Sequence, residues 1–216
     1  MSPRTRLVPD SEVLAATALV IGRIGPVRLT LADVAAEAGI APATLIQRFG
    51  SKRGLLLELA RQGVGESGNF FAGVRQNGSR VEDLITTFSQ CCEAMAPDAA
   101  TLSNHLAFLQ IDLTDKDFHA LALAQAKSFH EQIREFLEEM VRAKELKPCD
   151  TGALARVIQL AYGGSMLQWA IERQGKVGDW VRRDLKFILE PYLITDTTKG
   201  RRKDSSAKRP KQSGNR

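Results

Sequence analysis

With 216 residues, of which 44% are hydrophobic and 25% charged, the chain is too apolar for a disordered protein and long enough to bury a core, as one large domain or two small ones. The formal net charge of +5 sits at the ends: residues 199–216 hold +7 and residues 1–60 hold +2, whereas residues 61–198 hold −4. No stretch reaches the ~18 uninterrupted apolar residues of a transmembrane helix, which excludes a helical membrane span.

Helical periodicity recurs from residue 10 to residue 194 without strand alternation, so the fold class read from the sequence is all-α. Pro9 and Asp10 open a first helix that runs to about Gly22 and stops in the turn at Gly25-Pro26. Its apolar run, 13–22, has the length of a secretion-signal core. Asp10 and Glu12 interrupt the approach to it, no small-residue cleavage site follows, and the run has a helical stripe, so it is read as part of the fold. Thr30 and Asp33 form a capping box for a second helix, which buries Leu31, Val34, Ala35 and Ala38 and ends at Gly39. Pro42 stands at the first position of a short third helix, 42–48, and Ser51 caps a fourth that carries Leu55, Leu56 and Leu59. Gly63, Gly65, Gly68 and Gly73 weaken the stretch before Asn77-Gly78. Further helices are predicted over 79–95 and 97–111, then from a second capping box, Thr114 with Asp117, as far as Pro148. Asp150 opens the next, and a last one carries Val177 to Tyr192. The remainder is basic, nearly devoid of apolar residues and expected to be disordered.

Three short helices within about 45 residues, the last two joined by a tight Gly-containing turn, form a helix-turn-helix pattern. In that arrangement helix 31–38 braces across a DNA backbone while helix 42–48 enters a major groove by its N-terminal end. The small residues Ala41 and Ala43, the Thr44 hydroxyl, and Gln47 and Arg48 are what a groove reader exposes, since Gln suits adenine and Arg suits guanine or phosphate. Leu45 and Phe49, four apart, would anchor it, and Thr30 and Lys52 lie at helix N-termini, where backbone N–H groups favour phosphate.

The run from Leu29 through Leu45, LTLADVAAEAGIAPATL, followed by Phe49-Gly50-Ser51-Lys52 and Leu55-Leu56-Leu57, resembles the TetR family of bacterial repressors. The resemblance is specific over residues 10–60 and architectural beyond. It implies a basic arm (1–9), a helix-turn-helix DNA-binding domain (10–55), a helical effector-binding and dimerisation domain (56–195) and a disordered basic tail (196–216). It implies contacts to double-stranded DNA, on a palindromic operator, from Arg28, Thr30, Pro42, Ala43, Thr44, Gln47, Arg48 and Lys52. Two positions depart from the family: Ile46 stands where an aromatic residue is usual, and Ala41 where Ser is usual. Ile46 cannot hydrogen-bond, which leaves Arg48 or Arg28 to substitute for the missing phosphate contact.

In the body, the resemblance implies an unidentified, fairly apolar small-molecule effector among Asn104, His105, Phe108, Phe129, Met140, Tyr162, Met166 and Trp169. A homodimer would be formed through Val157, Ile158, Ala161, Trp180, Val181, Leu185, Ile188 and Leu189. The expected function is a ligand-responsive cytoplasmic repressor; the alternative is a lipid- or isoprenoid-binding protein of the same fold without DNA binding.

No catalytic or metal-binding constellation and no cofactor motif is found. His119 and His130 share a face but lie about 16 Å apart along a helix, and Asp115 with His119 reads as a surface pair. Cys91 and Cys92 have neither metal nor redox spacing, and an odd total of three cysteines fits a reducing compartment. Gly163-Gly164 lies inside a helix, where it permits close packing or a kink.

Overall fold

The computed structural model describes residues 8–67, 70–71 and 79–194. The greater part of the expected basic arm, the whole of the expected tail from residue 196, and the Gly68, Gly73 and Asn77-Gly78 positions lie outside them. Among the described residues there are nine α-helices and no strand: α1 Asp10–Arg28, α2 Leu31–Ala38, α3 Pro42–Phe49, α4 Lys52–Ser67, α5 Arg80–Met95, α6 Ala99–Thr114, α7 Lys116–Arg142, α8 Thr151–Glu172 and α9 Val177–Leu189. A 3-10 turn, Glu190–Tyr192, and one antiparallel bridge between Leu146 and Leu193 fasten the end of the described chain to the loop after α7.

Two hydrophobic clusters hold the helices. The first gathers Val13, Val20 and Ile21 of α1, Val34 of α2, Leu45 of α3 and Leu55 to Leu57 of α4. Phe118 of α7 is buried in the same cluster, and Phe108 and Ile111 of α6 pack against it. The helix-turn-helix unit therefore shares its core with the α6–α7 junction. The expected division at residue 55 falls within α4, which is one continuous helix from Lys52 to Ser67. The second cluster fills the body with Phe88 of α5, Ile133, Phe136 and Met140 of α7, Ile158 and Trp169 of α8, and Val181, Leu185 and Leu189 of α9.

Most helix starts have a chemical cause. Thr30, Ser51, Asp98 and Asp150 each accept a backbone N–H three residues on, satisfying a donor that the helix itself cannot. Three expectations are corrected. The first helix does not end at Gly22: Gly25, at φ 76° and ψ 159°, breaks the regular backbone and a further turn follows to Arg28. Thr114 is not a cap; its hydroxyl donates back to the Gln110 carbonyl, and Asp115 caps α7 by accepting from the Asp117 N–H. The long helix stops at Arg142, six residues before Pro148, where Lys144 takes a left-handed φ of 60°.

The predicted surface pair of Asp115 and His119 also gives way. Asp115 is engaged by Arg53, whose Nε and Nη2 donate to it at 2.9 to 3.2 Å while Nη2 also donates to Asp117 at 2.7 Å.

Candidate nucleic-acid interface and ligand cavity

The turn between α2 and α3 is built by Gly39, whose φ of 67° and ψ of 34° is a conformation that costs a residue with a Cβ. The Gly39 and Ile40 N–H groups both reach the Ala35 carbonyl and close α2. Pro42 then starts α3, and Ala41 offers no side-chain cap, so the leading end of α3 carries only backbone donors. Leu45 is fully buried and Phe49 packs on the same core. Pro42, Ala43, Ile46 and Gln47 are exposed on the other side, with Thr44 half-buried between. At the far end, a Cβ on Gly54 would overlap the Phe49 carbonyl oxygen, so glycine sets how closely α4 follows α3.

The polar candidates divide by what they touch. The Thr30 hydroxyl donates to Asp33 Oδ2 at 2.7 Å, and the Thr30 N–H donates to the same oxygen at 2.9 Å; these two bonds hold the Asp33 carboxyl below its ordinary pKa. Arg28 is exposed and donates from Nε to the Ile24 carbonyl. Lys52 Nζ donates to the Val27 carbonyl at 2.8 Å, and burial pulls its pKa down. Arg48 turns away from the exposed face of α3. Its guanidinium pairs with Asp10, donates to the Val8 carbonyl at 2.8 Å and lies 5.6 Å from the centre of the Phe49 ring. Arg48 thus ties α3 to the start of α1, a contact that its place in the sequence gave no sign of.

Behind this unit a cavity opens where α1, α4, α6 and α7 meet. It has two lobes of about 550 and 450 Å³ that share Gly63, Glu66, Met95, Asp112, Ala122 and Gln125. Phe129 and Tyr162 line the first lobe with Phe70 and Cys91, and His105 and Phe108 line the second. Four of the eight expected effector residues are therefore brought to it. Asn104 is not; its amide donates to the Gly22 carbonyl and bears on the Gly25 break. Met140, Met166 and Trp169 are corrected to core positions, enclosed by the inward faces of α7 to α9, with the Trp169 indole N–H donating to the Gly175 carbonyl.

Asp112, Glu66, Gln62 and Gln125 were not foreseen as lining. Asp112 could have been: it follows His105 and Phe108 by seven and four residues, on one helix face, in an otherwise apolar run. Burial raises the Asp112 carboxyl pKa, against an opposing pull from His119, and lowers that of His105. Burial also pushes up the pKa of the Cys91 thiol beside the cavity, and takes that of the enclosed Cys92 to about 12. Neither environment favours a reactive thiolate.

The proposed dimer residues also divide. Ile158, Val181, Leu185 and Leu189 are fully buried inside the protomer and cannot meet a second copy. They occupy the inner stripe of α8 and α9, which the body core consumes. What α8 leaves outside is Val157, Leu160, Leu167 and Ile171, with Phe187 on α9. Ala161, Trp180 and Ile188 line a groove of about 340 Å³ between these two helices, together with Gly164 and Phe187. Gly163 and Gly164 have nothing near the space a Cβ would take, so neither mediates packing within the protomer.

Residues 13–59 match the sequence model of bacterial regulatory proteins of the tetR family. The chain matches no curated protein. Among solved structures it is similar to a transcriptional regulator from Saccharomonospora viridis in complex with choline, at a TM-score of 0.68 and 19% identity over 86% of this chain and 97% of that one. It is also similar to the regulator FadR from Bacillus subtilis in complex with stearoyl-CoA, at a TM-score of 0.63 and 17% identity over 83% and 97%. SmeT, the repressor of a Stenotrophomonas maltophilia multidrug efflux pump, gives a TM-score of 0.63 and 15% identity over 88% and 93%. At these identities the likeness shows a common fold. The likeness to bacterial regulatory proteins of the tetR family therefore lies in residues 13–59, set on a helical body that shares its fold with these structures.

Proposed function

We propose that the chain is a ligand-responsive DNA-binding transcriptional regulator, a repressor that a small, fairly apolar effector releases from a palindromic operator. The observation that carries this reading is the aim of α3: Leu45 and Phe49 hold one face in the core while Pro42, Ala43, Ile46 and Gln47 stand exposed on the other. In a major groove the Gln47 amide suits adenine, the Thr44 hydroxyl suits either donor or acceptor edges, and Ala43 and Ile46 suit the thymine methyl. Ile46 is thereby a base reader in place of a phosphate anchor. Arg28, Thr30 and Lys52 flank that helix and serve phosphates. Arg48, spent on Asp10 and Val8, acts by positioning α3.

Two recognition helices must reach successive grooves, about 34–36 Å or a multiple apart, so the reading includes a homodimer. Val157, Leu160, Gly164, Leu167 and Ile171 follow one another at alternating spacings of three and four, the pattern of a helix seam, beside the groove that Phe187 and Trp180 flank. The head is taken as α1 to the first half of α4 and the body as the rest. Effector in the two-lobed cavity would act on the head through α1 and α4, which line it, and through the Arg53 link from α4 to the α6–α7 junction. It can shift the dimer only as far as it prefers one geometry over the other.

Gel-shift against the chain's own upstream DNA, at two salt concentrations and with random DNA as competitor, tests this. Preference for one palindromic fragment is expected, and binding indistinguishable from random DNA overturns it. The lipid-binding reading without DNA is favoured by one observation, the engagement of Arg48 and Lys52 by internal acceptors; a copurified apolar ligand with no operator binding would select it.

A further inference from the structure

The waist of the cavity carries a charge imbalance. Asp112 and Glu66 line both lobes, and among the described residues no Lys or Arg lines either. Asp112 has no hydrogen-bonded or ion-paired partner in the described residues; His119, its nearest positive influence, stands outside the lining. Gln62 donates its amide N–H to Glu66 at 2.6 Å, which leaves the Gln62 carbonyl oxygen buried with no donor. On one side of this waist Phe70, Phe129 and Tyr162 present aromatic rings, Phe70 and Phe129 meeting edge to face at 5.0 Å; on the other, α1 and Phe108 offer an apolar sleeve. Burial lowers the His105 pKa and so disfavours its charged form.

Carboxylates attract N–H donors and positive charge, and aromatic faces stabilise an organic cation. A carboxylate or phosphate ligand would meet the repulsion of two carboxylates here. We propose that the effector is an amphiphilic organic ammonium cation, its charged nitrogen held at the waist between Asp112 and Glu66 and its apolar part lying along the lobes. This rests on the reading of the cavity as the effector site. Burial already destabilises the Asp112 carboxylate, and an arriving cation would offset that cost.

Calorimetric titration of the full chain with decylammonium, decan-1-ol and decanoate, which differ only at the head, tests the proposal. Decylammonium should bind about tenfold more tightly than decan-1-ol, and decanoate no more tightly than decan-1-ol. Asp112→Asn should erase that preference while leaving decan-1-ol within about twofold. Glu66→Gln, at an exposed position, gives a second reading should Asp112→Asn fail to fold. Decanoate binding as tightly as decylammonium, or a preference untouched by both variants, overturns the proposal. Ala122→Phe, which fills the shared waist, separates the two levels. If it blocks a decan-1-ol or decanoate that binds as well as the amine, the cavity reading stands and the cation proposal falls. If no probe binds, or none is blocked, both fall.

Discussion

Replacing Leu160 by Asp tests the proposed homodimer interface on α8 and α9. Leu160 is 63% exposed in the protomer, at the middle of the α8 row, and nothing in its own subunit needs it there. Full burial of a leucine side chain stabilises by about 1.5–3 kcal/mol, so covering the exposed share contributes roughly 1–2 kcal/mol. A two-fold interface contains the residue twice, giving roughly 2–4 kcal/mol per dimer before the cost of burying two carboxylates is added. The dimer dissociation constant should therefore rise by at least about 30-fold and by as much as about 700-fold. Sedimentation velocity over a concentration series measures it, with circular dichroism showing that the protomer is intact. Val27→Asp, at a position 70% exposed on α1, is the control and should leave association unchanged. Equal association constants for Leu160→Asp and the unsubstituted chain would refute the placement of the interface on α8 and α9.

Leu45→Ala removes the fully buried anchor of α3 and should cost about 2–5 kcal/mol in chemical denaturation; a loss under 1 kcal/mol would mean that α3 is held otherwise. Thr30→Val deletes the hydroxyl that holds the Asp33 carboxyl below its ordinary pKa, so that pKa should move back up in an NMR titration. In the unsubstituted chain the stabilisation from Asp33 is complete above the ordinary carboxylate pKa and is lost as pH falls through the lower folded value; an unmoved pKa in the variant would remove Thr30 as its cause. Arg53→Met cuts the link from α4 to Asp115 and Asp117 while leaving the cavity lining untouched. Effector affinity should stay within about twofold while the effector's leverage on DNA falls, by up to the ~1–3 kcal/mol of a typical coupling. Full release of DNA by that variant would take Arg53 out of the coupling.

The helix-turn-helix unit was legible because its signals are local. Thr30 with Asp33, Gly39, Pro42 and Ser51 each act within four residues, and the structure places helix ends beside all of them. Ends without such chemistry were not legible. Thr and Asp are both residue types that cap helices, and only the continuation of α6 through Thr114 decides for Asp115. Arg142 ends α7 with no glycine to mark it, because Lys144 takes the left-handed turn itself. The outward face of α8 was hidden for another reason: the helix is apolar nearly all round, so periodicity shows two stripes and cannot say which is inside. Ile158 and Val157 are neighbours in sequence, and the body core takes Ile158 while leaving Val157 out. The engagement of Arg48 by Asp10 spans 38 residues and belongs to the packed structure alone.

Affinity of the full chain for its selected operator, with and without Gln47→Ala, tests the central claim most directly. Gln47 is exposed on α3 and has no described partner there, so its loss should leave folding unchanged. Bound fragments should share two half-sites separated by about one helical turn or a multiple of it. Gln47→Ala should weaken binding by about 1–3 kcal/mol and relax preference at one base pair in each half-site. Unchanged affinity and unchanged base preference in that variant, or fragments with no shared half-site, would contradict the account.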